Sequence, residues 1–406
     1  MHTDPEHPAP DRRQFLSAGA AGLLGLRFAG AAGRAAGEER KLVLLQLSGG
    51  NDGLSTVVPR GDDLYHAARP QLALGAGEVL ALDDYRGLHP ELGRLFELWS
   101  AGRLAIVEGV GYPDAPRSHF AAMDVWHTAD ARGRAAGEGW IGRLAARGLA
   151  PAGAAPPDPN LVVHVGAEVP YSLHSKTHPP ASFVLPQSYR WAGGADEVAA
   201  YERAAGRAPD PGGSNLDYLR AMLRDGQSSS ERVRRAAARY RTPVGYPATP
   251  LGAALRDVAA LIEGDVGTRV FSVELSGFDT HDDQRNQHGR QMRLLDAALG
   301  AFLEDLERSA AGRAALVLCF SEFGRRVREN GTEGTDHGLA GPVFLAGHAV
   351  RGGLFGAHPS LAELDDGDLI HTTDFRRVYA TVIERWFGLD ATAVLGAEHE
   401  PLDLLA

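Results

Sequence analysis

The chain has 406 residues, 41 Lys and Arg against 52 Asp and Glu, and a formal net charge of −11. Its hydrophobic content of 44% marks a globular protein of one large domain or two modest ones. A single cysteine excludes a disulfide scaffold, a thiolate zinc site and an iron–sulfur cluster made by this chain alone, and the acidic balance argues against nucleic acid as a partner.

The first element in chain order is a signal. Residues 12–37 read RRQFLSAGAAGLLGLRFAGAAGRAAG. A charged pair, Arg12 and Arg13, then an apolar run, then small residues is the order of a secretory peptide. The pattern resembles a twin-arginine translocation signal. The expectation is a signal peptide over 1–37, recognised by the twin-arginine translocase and cleaved around Gly33 to Gly37. The protein is then periplasmic or extracellular. Arg27 interrupts the apolar run, so no stable membrane span is expected. The remaining 38–406 reads as a single α/β domain.

Near-continuous apolar runs predict buried strands at 41–47, 104–110, 161–166, 269–275, 315–320 and 342–347. Helical periodicity marks 88–101, a long segment through Met292 to Leu306, and 375–388. Strands alternating with helices imply parallel βαβ units. The expected fold is a doubly wound, mostly parallel sheet sandwiched by helices, with ligands beyond the carboxyl ends of the strands. Residues 193–245 read as a helical insertion over one end of the sheet, either a lid or plain packing, with Ser230 a possible helix cap. Cys319, inside ALVLCF, reads as an inert core residue.

Polar clusters follow the strands. SGGNDG, 48–53, leaves Asp52 at the mouth of the sheet, as a metal ligand or as the cap of its own turn. RSHF, 117–120, offers Arg117 to hold an oxyanion, Ser118 as nucleophile or cap, and His119 as base, ligand or structural residue. SGFDTHDDQ, 276–284, places Asp279 and His281 two apart, with Asp283 and Gln284 beside them. SEFGRRVRENGTEGTDHG, 321–338, supplies Glu322, then Arg325 and Arg326 to bind an anion or pair with Glu322, then the adjacent Asp336 and His337. Asp52, Asp279, His281, Asp336 and His337 together make an oxygen and nitrogen ligand set for one or two divalent ions, Zn or Mn.

These motifs, with TTDFRRVYATVIERW near the C-terminus, occur in an order that resembles the DUF1501 family across nearly the whole chain. That family is similar in fold to the alkaline phosphatase and sulfatase superfamily. The resemblance implies an alkaline-phosphatase-like fold and a metal-dependent hydrolase of phosphate or sulfate monoesters. On it, Asp52, Asp279, His281, Asp336 and His337 are the metal ligands, and Ser118 opens the nucleophile region. Arg117 or Arg325 would steady the transferred group, and His119 would supply a proton. Two departures stand out. Glu322 and Phe323 occupy the strand end where an Asp–His pair is usual, and Asp279 and His281 are closer together than the usual spacing. Cys319 has no sulfatase motif around it, so formylglycine chemistry is not expected. The alternatives are a non-catalytic, metal-containing binding or assembly protein of the same fold, and a redox metalloenzyme. No haem, flavin or iron–sulfur signature supports the latter.

Overall fold

The central strands in this chain are built largely from residues that are apolar on both sides, and both sides are covered. The computed structural model describes residues 40–130, 137–150, 158–190, 193–206 and 215–406. The proposed signal, 1–37, lies outside them. Nine strands form the main sheet: β1 (Lys41–Ser48), β2 (Leu104–Gly111), β3 (Val162–Val165), β4 (Ala181–Phe183), β5 (Val270–Ser276), β6 (Ala315–Phe320), β7 (Gly341–Ala346), β8 (Gly353–Phe355) and β9 (Thr373–Asp374). The order is β8-β2-β7-β6-β1-β5-β3-β4, with β9 also on β2.

All eight residues of β1 are buried. Val43, Leu45 and Leu47 face one core and Leu42 and Leu44 the other. That is the period of two expected of a strand with no solvent face. The principal helices are α1 (Gly93–Ser100), α2 (His119–Thr128), α3 (Ala195–Ala205), α4 (Asn215–Arg239), α5 (Pro250–Glu263), α6 (Gln284–Leu306) and α7 (Phe375–Ala380). Met292, Leu295, Leu299 and Phe302 of α6 fill the first core. Phe375 and Tyr379 of α7 fill the second beside Trp126 and Trp140, with Trp140 stacked on Tyr379 at 4.1 Å. Lys41–Ala406 form one compact unit. Among the described residues no helix is long and apolar enough to cross a membrane.

The mostly parallel sheet flanked by helices agrees with the sequence reading, and all six expected strands form. Four details differ. The strand at 342–347 runs antiparallel to both neighbours, β2 and β6. No helix stands between β6 and β7, so the chain leaves the sheet rim and returns to it through the loop 321–340. The expected helix at 88–101 begins only at Gly93. Ser230 lies inside α4 and donates to the Gln227 carbonyl, so it caps nothing.

The helical insertion at 193–245 is present as α3 and α4. Arg232 pairs with Asp158, and the Ser229 hydroxyl donates to Asn160, just before β3 begins. Arg232 also donates to the Val266 carbonyl, just before β5. The insertion is therefore tied to the segments just before β3 and β5, and Ser229 also meets Tyr189 beyond β4.

Candidate metal centre

The carboxyl ends of β1, β5 and β6 lie side by side, because these strands are parallel neighbours. Ser48, Ser276 and Phe320 therefore release their loops at one rim. β7, running the other way, starts at that rim. This is why Asp336 and His337 arrive at the same place although they follow β6 by more than a full loop. The β1 turn is pressed between the others. A Cβ on Gly49, at φ +116°, would sit 2.5 Å from the Asp279 nitrogen, and one on Gly50 would sit 2.3 Å from the Phe323 ring. Only glycine permits this approach and this backbone.

Asp279 is the hub. His337 Nε2 and His281 Nε2 each lie 3.0 Å from Asp279 Oδ1, and 3.0 Å from one another. His119 Nε2 lies 3.4 Å from Asp279 Oδ2 and is buried with no hydrogen-bond partner. The far nitrogens are tethered. His119 Nδ1 is 2.8 Å from Glu322 Oε1, and His337 Nδ1 is 2.8 Å from the Arg117 carbonyl oxygen. His281 Nδ1 faces Asp336 Oδ1 at 3.5 Å. Phe323 forms an apolar wall, its ring 4.9 Å from His119 and 4.8 Å from His337.

The donor chemistry of this group is specific. A carbonyl and an ionised carboxylate only accept, so the Nδ1 atoms of His337 and His119 carry protons. In the neutral rings both Nε2 atoms are then lone pairs: that of His119 has no hydrogen-bond partner, and that of His337 can accept only from His281 Nε2, 3.0 Å away. A second proton on His119 or a cation between the rings and Asp279 would satisfy these lone pairs. One divalent ion satisfies the same lone pairs. Imidazoles oriented through Nδ1 by a carboxylate or carbonyl are the usual arrangement around zinc. His119, Asp279 and His337 each offer an atom within 4.8 Å of the others, and so could hold a metal ion. The side chains of His119 and His337 are 23% and 21% exposed, against 48% for Asp279, so one flank of the group opens to solvent.

Burial raises the Asp279 pKa, but the hydrogen bond from Arg325 and the imidazoles beside it outweigh this and hold the carboxyl well below the usual range. The hydrogen bond to Glu322 raises the His119 pKa, against burial.

The remaining expected site residues are placed as follows. Asp336 stands behind His281. Ser118 is exposed at the N-cap position of α2, where its hydroxyl makes no capping bond. Asp52 is wholly buried and apart from the cluster, as the cap of the turn Gly53–Thr56. Both its oxygens meet Arg69, at 2.5 and 3.0 Å, and Oδ2 also accepts from Ser55 and Gln284. Burial works against the Asp52 charge, yet Arg69 brings its pKa down to about 2.

Arg325 is turned inward, not toward a substrate anion. It donates to the carbonyls of Gly50, Thr335, Gly49 and Phe278 and to Asp279 Oδ1 at 2.7 Å. It clamps three rim loops together and aims the hub carboxylate. Arg117 pairs with Asp368 and Asp366, and Arg326 with the same two residues, so the expected pairing of Arg325 or Arg326 with Glu322 is not what forms. The part of Glu322 as the tether of His119 was not read from the sequence, although its position directly after β6 was the available signal. Arg69 gave none.

No curated protein matches the chain. Among solved structures it is similar to a protein in the alkaline phosphatase superfamily from Vibrio parahaemolyticus, at 9% identity and TM-score 0.39, over 88% of this chain and 68% of that one. It is similar to a putative sulfatase from Bacteroides thetaiotaomicron at 10% identity and TM-score 0.34, over 89% and 75%. The 2-O GAG sulfatase BT1596 is similar at 8% identity and TM-score 0.36, over 77% and 65%. Likenesses this distant carry no argument about chemistry. A family model described as "Protein of unknown function (DUF1501)" matches residues 105–397, and the chain belongs to that family.

Proposed function

We propose that the protein is an exported, metal-dependent hydrolase of phosphate or sulfate monoesters, with one divalent ion, Zn or Mn, held by His119, Asp279 and His337. The observation that carries the reading is the convergence of two imidazole nitrogens on one carboxylate, each ring fixed by its other nitrogen. His281 is a fourth donor within reach. Asp52 adds no second ion in this reading, since its oxygens are spent on Arg69, Ser55 and Gln284. Export rests on Arg12 and Arg13.

A divalent ion in this position supplies Lewis-acid polarisation of an ester oxygen. The chain supplies the rest. Ser118, next to His119, is the candidate nucleophile, with a hydroxyl free at the start of a ten-residue helix whose N-terminus favours negative charge. The His119 and His337 tethers keep their lone pairs aimed, and Phe323 excludes water from behind the rings.

One observation favours the second reading, a metal-containing protein without turnover. Both arginines expected to hold a transferred group are engaged by carboxylates of the fold, Arg117 at the surface and Arg325 inside it.

A panel of aryl phosphate, phosphodiester and sulfate esters on the metal-replete chain separates the two. The hydrolase reading expects turnover above the metal-stripped control. In Asp279→Ala it expects bound metal to be lost and turnover to fall at least about 100-fold. Ser118→Ala removes the remaining rate only if Ser118 attacks. One bound ion per chain with no turnover on any ester gives the protein to the binding reading. No bound ion overturns both.

A further inference from the structure

We propose that Gln284 is a positioning residue for the metal centre and sets the separation between its two ligand-bearing loops. The proposal rests on the metal-centre reading above.

Gln284 is the first residue of α6 and is 1% exposed. Its Oε1 accepts two hydroxyls at once, from Thr280 at 3.0 Å and from Thr335 at 2.6 Å. Thr280 lies between Asp279 and His281. Thr335 lies two residues before His337. One amide oxygen therefore stitches the loop after β5 to the loop before β7, directly behind the ligands. Both threonines are fully buried, and the Thr335 nitrogen also donates to the Thr280 carbonyl at 3.2 Å.

The orientation of the amide follows from its partners. Gln284 Nε2 donates to Asp52 Oδ2 at 2.5 Å, and that carboxylate, held charged by Arg69, can only accept. Nitrogen must face Asp52, so oxygen must face the threonines. Arg69 uses its remaining donors on the Val327 and Arg326 carbonyls and Ser55. A rigid chain thus runs from Arg69 through Asp52 and Gln284 to both ligand loops. A glutamine with one apolar neighbour on each side would do for packing alone. Two hydroxyls converging on one acceptor, each beside a ligand, is what a spacing device requires. Outer partners of this kind are worth roughly 10- to 100-fold in metal affinity.

The test uses Co(II) as probe on the purified full chain. Thr280→Val and Thr335→Val keep side-chain shape and remove one hydroxyl each. The double variant is expected to bind Co(II) about 10- to 100-fold more weakly, with an altered visible spectrum, and each single variant to show a smaller effect of the same sign. Thr280→Ser and Thr335→Ser keep the hydroxyl and should bind within about threefold of wild type. Metal-free melting is followed in parallel. Wild-type Co(II) affinity and spectrum in a double variant that melts lower would show that Gln284 only stabilises the fold, and would overturn the proposal. If the double variant does not fold, the single variants decide by the same criterion. A wild-type chain that binds no Co(II) would instead defeat the metal centre itself.

Discussion

Arg69→Met is expected to lower the stability of the metal-free chain by about 3–5 kcal/mol, measured by urea unfolding. Arg69 is fully buried, and among the described residues its guanidinium is the one cation that touches Asp52. Removing it leaves a carboxylate at zero exposure with neutral donors only, from Ser55, Gln284 and the Leu54 nitrogen. Breaking such a pair costs far more than the pair adds, because the surviving charge stays desolvated. The effect should be partly reversible. Asp52→Asn in the Arg69→Met background removes the stranded charge, and the double variant should recover about half of the loss or more. The double-mutant cycle then reads a coupling well above 1 kcal/mol. A single variant within about 1 kcal/mol of wild type would show that Asp52 takes up a proton cheaply, and would remove the pair from the account of the rim.

The sheet was legible because a strand buried on both faces has to be apolar throughout, as LVLLQL and ALVLCF are. Polar residues that follow such a run land at its rim, which is how Asp279, His281 and His337 could be gathered as neighbours. The short strands β4, β8 and β9 were not legible. Three residues or fewer carry no period, and the sheet edge, not the sequence, makes them strands. The direction of β7 was hidden for another reason. The glycine-rich loop before it holds no helix, and only an antiparallel strand can follow a connection that both leaves and re-enters at one rim. Asp52 was misplaced because a carboxylate ligand and a carboxylate paired with a buried arginine look alike in sequence. The deciding partner, Arg69, is 17 residues away in a stretch with no pattern of its own. Arg325 misled in the same way. An arginine near a site reads as an anion binder until the carbonyls that occupy its donors are seen.

The metal-free chain is expected to unfold cooperatively on acidification, between about pH 6 and pH 4. Burial is the first cause for each group responsible. It pushes His89, His127 and His164 down to about 4 and His288 to about 3, from an ordinary value of 6.5. Each is a neutral ring in the fold. His288 Nε2 is 3.1 Å from Asn51 Oδ1, and His127 Nε2 is 2.8 Å from Gln46 Oε1. The sign follows from proton counting. Below pH 6.5 the unfolded chain takes up a proton at each of these positions that the fold refuses, so stability falls as pH falls until the folded pKa is reached. Each group is then worth on the order of 3 kcal/mol by pH 4. Asp257 works in the opposite direction. Its pKa is raised by burial to about 6, so it gains a proton in the fold first and offsets roughly one histidine. The raised carboxyls of Asp225, Asp296 and Asp368 offset more of it, and the remaining loss, on the order of several kcal/mol, is a large share of the stability of an ordinary domain. Asp52 does not enter in this window, because its pKa of about 2 and its ordinary value of 3.8 both lie below it. Circular dichroism against pH, with metal removed, measures the midpoint. His127→Gln replaces the titrating ring with an amide that can still reach Gln46, and should move the midpoint to lower pH. A fold that keeps its full stability at pH 4 would mean that these rings find solvent or acidic partners on protonation, and that burial does not hold them neutral.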